Sequence, residues 1–176
     1  MTEHPWSVPV RIEEVPETGL HLDLAADART RELIARLAGV DAVARLEAAF
    51  DVARTDDRLR VTGRVSGTVG QTCVVSLEPM ETLVDERVNL VFAPARAEDA
   101  GPGDLAESDI VGGEPPEPLV GGVADLGAVA TEFLLLGIDP YPRKPDAVFA
   151  PPPADEEAGG PFAALAALKE RPKQGS

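Results

Sequence analysis

Residues 45–69 read RLEAAFDVARTDDRLRVTGRVSGTV, and the spacing of their apolar side chains decides the fold class. Apolar residues alternate with polar ones over residues 46–52 and again over residues 59–69, and the polar cluster 55–58 separates the two runs. A period of two is typical of a strand with one buried face, and a short polar cluster between two such strands is typical of a turn. The stretch therefore predicts two adjacent antiparallel strands.

The strand pattern continues toward the C-terminus. Residues 72–77 are predicted to extend the sheet, residues 78–81 to turn, and residues 84–92 to form a further alternating strand. Successive strands with short turns and no helix between them imply an antiparallel, meander-like sheet. Gly63 and Gly67 fall on its inner face, where glycine indicates a bend or a close approach of another backbone.

Two shorter strands and a helix precede the hairpin. Apolar residues alternate over 8–12 and over 20–24, which predicts two short strands. Asp27 is a suitable N-cap and Gly39 a suitable stop for an amphipathic helix over 28–38. The apolar residues at helical spacing in that helix are Leu33, Ile34 and Leu37.

A second helix is predicted over residues 125–137, with Asp125 as its N-cap and Gly137 near its end. The elements together predict an α+β fold over a single domain at 1–150. Its sheet is expected to be antiparallel and curved, or a partial barrel, with two main helices packed on it.

Two segments differ from this pattern. Residues 95–118 contain seven carboxylates against Arg96 alone, with several Gly and Pro, so we expect a mobile, disordered acidic loop inserted in the domain. Residues 151–176 are expected to form a flexible tail that carries a short C-terminal helix over 162–169. Eight residues are marginal as a free helix, so this one should dock on its own domain or on a partner. Its apolar stripe comprises Phe162, Leu165 and Leu168.

Composition excludes several classes of protein. The chain has 176 residues, 31 acidic against 16 basic side chains, and a net charge of −15. This charge disfavours broad binding to DNA or another phosphate backbone and suits a basic partner. The single cysteine, Cys73, excludes an intramolecular disulfide and any multi-cysteine metal site. No apolar run is long enough for a membrane span and no signal region starts the chain, so we expect a cytoplasmic protein without a membrane partner.

Few residues suggest catalytic chemistry. His21 and Asp23 share one strand face and offer two metal ligands or an acid–base pair, which keeps a small metal-dependent hydrolase as an alternative. Alternating polar residues are equally typical of a solvated sheet face. Cys73 has no obvious base beside it, and a lone cysteine on the face of Val75 and Leu77 behaves as a small apolar residue. We therefore expect no cofactor and no catalytic residue.

Four pieces of the chain carry a resemblance to a known family. They are QTCVVSLEP at 71–79, DLG at 125–127, DPYPRKP at 139–145 and PFAALAALK at 161–169. In this order and spacing they resemble the YceD family of large ribosomal RNA subunit accumulation proteins, over about residues 5–169. The sequence is similar to alphaproteobacterial members.

The resemblance implies a bacterial, non-enzymatic protein that supports accumulation of large-subunit ribosomal RNA. Many members carry a Cys-x-x-Cys pair, but here the second position is Ser76, so a metal or redox role for that pair is not carried over. The resemblance makes the following residues motif or partner-binding candidates: Cys73, Leu77, Glu78, Pro79, Asp125, Leu126, Pro142, Arg143, Phe162, Leu165, Leu168 and Lys169.

The net charge of −15 indicates what kind of partner such a protein would bind. A basic ribosomal protein or assembly factor is the expected partner, with the acidic loop steering the encounter and an apolar patch providing affinity. Arg60 and Arg64 share one strand face and leave indirect or local contact with ribosomal RNA open. A general regulatory adaptor, unrelated to ribosomes, is a further alternative.

Overall fold

The computed structural model describes residues 4–94 and 116–149. A short 3₁₀ turn at Ile12–Glu14 follows the first strand. The strands are β1 (Pro9–Arg11), β2 (Leu20–Ala25), β3 (Ala42–Thr55), β4 (Arg58–Thr72), β5 (Pro79–Ala93), β6 (Glu117–Pro118) and β7 (Val123–Asp125), and the helices are α1 (Ala28–Ala38) and α2 (Leu126–Gly137).

The strands form two sheets. The larger has the order β2-β3-β4-β5-β6, antiparallel except where β6 runs parallel to β5, and the smaller pairs β1 with β7. The hairpin predicted from residues 45–69 is confirmed, since β3 and β4 pair from Ala42 opposite Gly70 to Thr55 opposite Arg58. The α+β class with two main helices and a mainly antiparallel sheet is confirmed as well.

The core lies between the inner face of the large sheet and the two helices. Phe50, Leu59 and Val65 are fully buried on that face, beside Leu126 and Leu134 of α2. Inward residues at every second position of β3 and β4 produce this layer, as the alternation predicted.

Gly63 and Gly67, on the inner face of the sheet, both let neighbouring atoms lie close to the backbone of β4. A Cβ on Gly63 would collide with the Ala49 carbonyl and lie 2.9 Å from Cδ1 of Phe50, and one on Gly67 would lie 2.6 Å from Cδ1 of Leu134. Leu134 of α2 therefore packs directly on the backbone of β4, so Gly67 sets the depth of the helix.

Helix α1 begins and ends where the sequence predicts. Asp27 accepts a hydrogen bond from the Thr30 amide at 2.7 Å, and Gly39 closes the helix in the left-handed conformation at φ 67°. Its predicted apolar face is only partly right. Ile34 is fully buried, whereas Leu33 is 39% and Leu37 59% exposed. The side of α1 that carries these two leucines therefore faces away from the sheet.

The predicted boundary between β4 and β5 is wrong. Residues 72–77 were expected to be strand and 78–81 turn, but β4 ends at Thr72 and β5 already begins at Pro79. Cys73 is fully buried while Leu77 is exposed, so the two do not share a strand face. The turn thus occupies the segment that the alternation assigned to the strand.

The predicted acidic loop over 95–118 lies mostly outside the described residues, and its last two residues, Glu117–Pro118, form β6. The predicted tail over 151–176 also lies outside them. Within the described part of the chain, no helix combines the length and apolar character that a membrane crossing requires.

Candidate partner-binding site

The turn between β4 and β5, which we call the tip loop (Cys73–Glu78), is closed by its own backbone. The Cys73 amide donates to the Glu78 carbonyl at 2.9 Å, and the Leu77 amide donates to the Cys73 carbonyl at 2.9 Å. Leu77 adopts a left-handed conformation with φ 59°, which is uncommon for a residue with a branched side chain. The loop therefore holds Leu77 in a backbone conformation that it would rarely adopt alone.

The Cys73 side chain is the centre of this loop. Its Sγ accepts the amide of Ser76 at 3.5 Å and the amide of Lys144 at 3.4 Å. The Val74 amide donates to the Pro142 carbonyl at 2.9 Å. The segment that follows α2, which we call the strap (residues 139–147), is thereby fastened to the tip loop by main-chain groups on both sides.

These contacts change the acidity of the thiol. Hydrogen bonds from the Ser76 hydroxyl, the Ser76 amide and the Lys144 amide lower the pKa of Cys73 to about 6, against burial, which raises it. A thiolate is the form that accepts such bonds most strongly. The Sγ is shielded from solvent, and its bonds join the tip loop to the strap.

A second link between the segments is ionic. Nζ of Lys144 lies 2.8 Å from Oε2 of Glu78, and Oγ of Ser76 lies 3.4 Å from the same carboxylate oxygen. The ammonium of Lys144 lowers the pKa of Glu78. The tip loop is therefore tied to the strap by a side-chain pair as well as by backbone bonds.

The start of the strap is anchored on β4. Nε2 of the buried Gln71 donates to the Asp139 carbonyl at 2.8 Å, and the Asp139 carboxylate accepts the Tyr141 amide at 2.8 Å. This turn directs the Tyr141 side chain into solvent.

The surface formed by these two segments is apolar and ordered. Leu77 is 76% exposed, and Val74 and Tyr141 are exposed beside the buried Pro142. Arg143 is exposed next to them. Exposed apolar side chains on a preorganised backbone are typical of a protein-binding surface, because little conformational entropy is lost when a partner covers them.

A family model matches residues 61–169, more than half of the chain, and describes the large ribosomal RNA subunit accumulation protein YceD. The chain belongs to the YceD family. The family name indicates a role in accumulation of large-subunit ribosomal RNA and does not describe an enzyme. No curated protein and no solved structure matches the chain.

The region matched by the YceD model contains both the tip loop and the strap. The structure places the predicted site residues in different parts of the chain. The structure brings Cys73, Leu77, Glu78 and Pro79 together with Pro142 and Arg143. Four others, Phe162, Leu165, Leu168 and Lys169, lie outside the described residues.

Asp125 and Leu126 lie elsewhere, at the opposite end of α2. The Asp125 carboxylate accepts from the Ser7 hydroxyl at 2.6 Å and from the amides of Val8, Gly127 and Ala128 at 2.8, 3.0 and 3.2 Å. Leu126 is fully buried. In this YceD protein the pair starts a helix and fixes the N-terminal segment on it.

The site contains five residues that were not among the candidates predicted from the sequence: Gln71, Val74, Asp139, Tyr141 and Lys144. Asp139, Tyr141 and Lys144 lie in the DPYPRKP stretch that carried the YceD resemblance, so that motif was a signal for them. Gln71 and Val74 lie in the QTCVVSLEP stretch, which carried the same resemblance, but that stretch did not indicate that the Gln71 amide would hold a carbonyl 68 residues away.

His21 and Asp23 lie outside the matched YceD region, on the exposed face of β2. Nδ1 of His21 lies 2.7 Å from Oδ1 of Asp51 and its Nε2 lies 3.5 Å from Oδ1 of Asp23. The hydrogen bond with Asp51 raises the pKa of His21. Across residues 4–94 and 116–149, no group of three His, Cys, Asp or Glu side chains is arranged to hold a metal.

The outer face of the sheet carries paired arginines. Nε of Arg64 lies 2.9 Å from Oδ1 of Asp85, and Arg60 donates to the side chain of Asn89 at 3.3 Å. Farther along, Arg45 lies 2.8 Å from Glu47. These cations are largely committed to neighbouring side chains of this YceD protein.

Proposed function

We propose that this YceD protein supports accumulation of large-subunit ribosomal RNA by binding a basic ribosomal protein or assembly factor. On this proposal the protein acts without catalysis, and the RNA is affected indirectly through the protein partner. The proposal implies that the protein is located in the cytoplasm, where bacterial ribosomal proteins are made and assembled.

The observation that carries the proposal is how the protein distributes its charge. The chain has a net charge of −15, and two arginines of its open sheet face, Arg64 with Asp85 and Arg45 with Glu47, form ion pairs within the domain. Binding to a phosphate backbone depends on cations that are free to displace counterions. A surplus of carboxylates instead favours encounter with a cationic protein.

The tip-loop site supports the apolar part of the contact. Steering by charge raises the association rate, whereas buried apolar anchors slow dissociation. Leu77 and Tyr141 are side chains of the kind that act as anchors, and the bonds around Cys73 hold the loop in place before a partner arrives. We therefore assign the partner's apolar contact to this surface.

Affinity capture from a bacterial lysate at low and at high salt tests the proposal, with nuclease treatment before capture and with both protein and RNA identified. The expected result is a cationic large-subunit protein or assembly factor that survives nuclease treatment and is released by high salt. Recovery of RNA without a protein partner, or loss of the protein with the RNA, would contradict it.

A matched pair of variants locates the contact. Leu77→Ser removes an anchor without changing net charge and should lower capture several-fold. Leu83→Ser is the control, because Leu83 is 74% exposed on β5, away from the tip loop. Equal capture by both variants would remove the tip loop from the proposal.

Sedimentation separates the proposal from a general regulatory adaptor. The protein should co-sediment with large-subunit precursor particles in a sucrose gradient, and Leu77→Ser should weaken that association. Capture of cationic proteins unrelated to the ribosome, with no precursor in the gradient, would favour the adaptor.

A further inference from the structure

A groove of about 890 Å³ lies between α1 and α2, and His4 and Pro5 of the N-terminal segment also line it. Its apolar walls are Leu33 and Leu37 of α1 and Ala128 and Leu135 of α2, and Arg29 and Glu132 supply charged groups at its margin. The groove is separate from the tip loop, because residues Cys73–Glu78 do not line it.

Two exposed leucines of α1 give the groove an apolar wall. Leu33 and Leu37 are 39% and 59% exposed, although they lie one turn apart on the same side of α1. Contiguous apolar side chains along a groove between two helices are typical of a surface that another segment covers. The shape suits an apolar helix, which places side chains three and four residues apart into such a groove.

The strap begins at one end of the groove. The Asp41 amide, just after α1, donates to the Gly70 carbonyl at 3.0 Å, and the neighbouring Gln71 holds the carbonyl of Asp139, just after α2. Both helices thus end beside the same part of β4. Leu37 and Leu135 lie in the last turns of these helices, so the strap starts near their end of the groove.

The remaining chain contains a segment of matching chemistry. Phe162, Leu165 and Leu168 recur three residues apart with alanines between them, which predicts one apolar helical stripe. Twelve residues separate Phe149 from Phe162. Fully extended they span roughly 40 Å, which exceeds the diameter of a domain whose radius of gyration is about 14 Å. The linker is therefore long enough to reach the whole groove.

We propose that residues 162–168 dock in the α1–α2 groove of the same chain, with Phe162, Leu165 and Leu168 packed on Leu33, Leu37 and Leu135. A short tether gives the segment an effective concentration in the millimolar range, which favours its own groove over that of a second copy. Docking would also supply the packing that so short a helix needs in order to be stable. The inference goes beyond the proposed function, because it does not depend on any partner.

Hydrogen exchange of the full chain tests the groove side of the contact. Amides of residues 162–169 should exchange at least tenfold more slowly than those of an unstructured chain, and Leu37→Glu should abolish this protection. Leu83→Glu is the matched control, because it makes the same change at an exposed leucine on the sheet and should leave protection intact. Both leucines are exposed, so neither change should unfold the domain.

Unprotected amides in the wild-type chain would overturn the proposal, and so would an equal loss of protection in both variants. Each of these outcomes is independent of whether a ribosomal protein is captured. Failure of the docking proposal and failure of the proposed function can therefore be told apart.

A second pair of variants tests the segment side. Leu165→Glu should shift the methyl resonances of Leu33 and Leu37 in the full chain, whereas Ala163→Glu, on the opposite side of the predicted helix, should not. Light scattering completes the test. We expect a monomer, and a dimer that Leu165→Glu dissociates would assign the groove to a second copy and overturn docking within one chain.

Discussion

The backbone amide of Lys144 donates to the Sγ of Cys73 at 3.4 Å, across 71 residues of sequence. The Ser76 amide reaches the same sulfur from within the tip loop. One side chain thus joins the turn between two strands to the segment that follows the last helix. The exposed Leu77 and Tyr141 keep their relative positions because their backbones meet at this sulfur.

Cys73 should titrate with a midpoint of about 6, since the hydrogen bonds from Ser76 and from the Lys144 amide lower its pKa. Ser76→Ala should raise this midpoint, because the Ser76 hydroxyl makes the largest contribution. Ultraviolet absorbance of the thiolate, measured against pH, gives the midpoint of the wild type and the direction of its shift in Ser76→Ala. Ser66→Ala, on the outer face of β4, is the control and should leave the midpoint unchanged. A wild-type midpoint near 9 would contradict the assigned bonds.

The same shift predicts a pH dependence of stability. The folded pKa of Cys73 is about 6 and lies below the ordinary value of 9.0, so the folded state favours the thiolate. The stabilising contribution should be complete above pH 9.0 and be lost as the pH falls toward about 6. Urea unfolding of the wild type and of Cys73→Ala across this range measures it. A difference between the two proteins that does not grow with pH would count against a buried thiolate.

His21 should titrate above its ordinary pKa of 6.5, because Asp51 accepts from its imidazole and Asp23 lies on its other side. Asp51→Asn should lower the pKa more than Asp23→Asn, since the bond with Asp51 is the largest cause. The stabilisation from this pair is present below pH 6.5 and is lost as the pH rises through the raised value. Proton NMR of the imidazole follows the titration, and an equal effect of the two variants would be inconsistent with the geometry.

Gly63→Ala should lower the free energy of unfolding by about 3 kcal/mol or more. A Cβ at this position collides with the Ala49 carbonyl, which is backbone of the paired strand and cannot move aside as a side chain would. Gly70→Ala is the matched control in the same strand, where the nearest atom would be 3.4 Å away, and should change stability by less than about 1 kcal/mol. Thermal or urea unfolding measures the loss of stability in the two variants. Similar losses would mean that the close approach of the Ala49 carbonyl is not the reason for glycine at 63.

Asp125→Ala should cost about 2 kcal/mol of folding free energy, at the upper end for a helix cap. Its carboxylate serves the first turn of α2 and also the Val8 amide and the Ser7 hydroxyl. Asp27→Ala is the comparison, because Asp27 caps α1 with a single bond to the Thr30 amide and should matter less. Circular dichroism during unfolding measures both, and a larger loss for Asp27→Ala would contradict the importance of the N-terminal contacts.

The sequence predicted local features well. Asp27 and Gly39 carry the chemistry of a helix start and stop in their own side chains, and α1 occupies the predicted range 28–38. The hairpin of residues 45–69 was readable because strand alternation and turn polarity are both short-range signals. The YceD motifs contain both the tip loop and the start of the strap, but they did not indicate that the two segments are in contact.

Features that depend on distant partners were not readable. Residues 73–77 continue the strand alternation in sequence, and Cys73 is still buried as the pattern predicts. The chain nevertheless turns five residues early, in a loop whose contacts with Lys144 lie 71 residues away. Leu33 was assigned to the buried face because helical spacing shows that a stripe exists without showing what it faces. Ile34, which belongs to the predicted stripe, packs on the sheet together with Ala35, which does not.

The short pairing of β6 with β5 makes the region between them a permissive insertion site. Phe92 and Ala93 lie opposite Glu117 and Pro118 in the parallel pair. The end of β5 and the start of β6 are therefore one strand spacing and one residue apart, roughly 6 Å. The entropy of closing a loop between fixed ends grows only slowly with its length. A peptide tag or a small reporter domain can therefore be spliced here, which labels the protein without touching the tip loop or the helices.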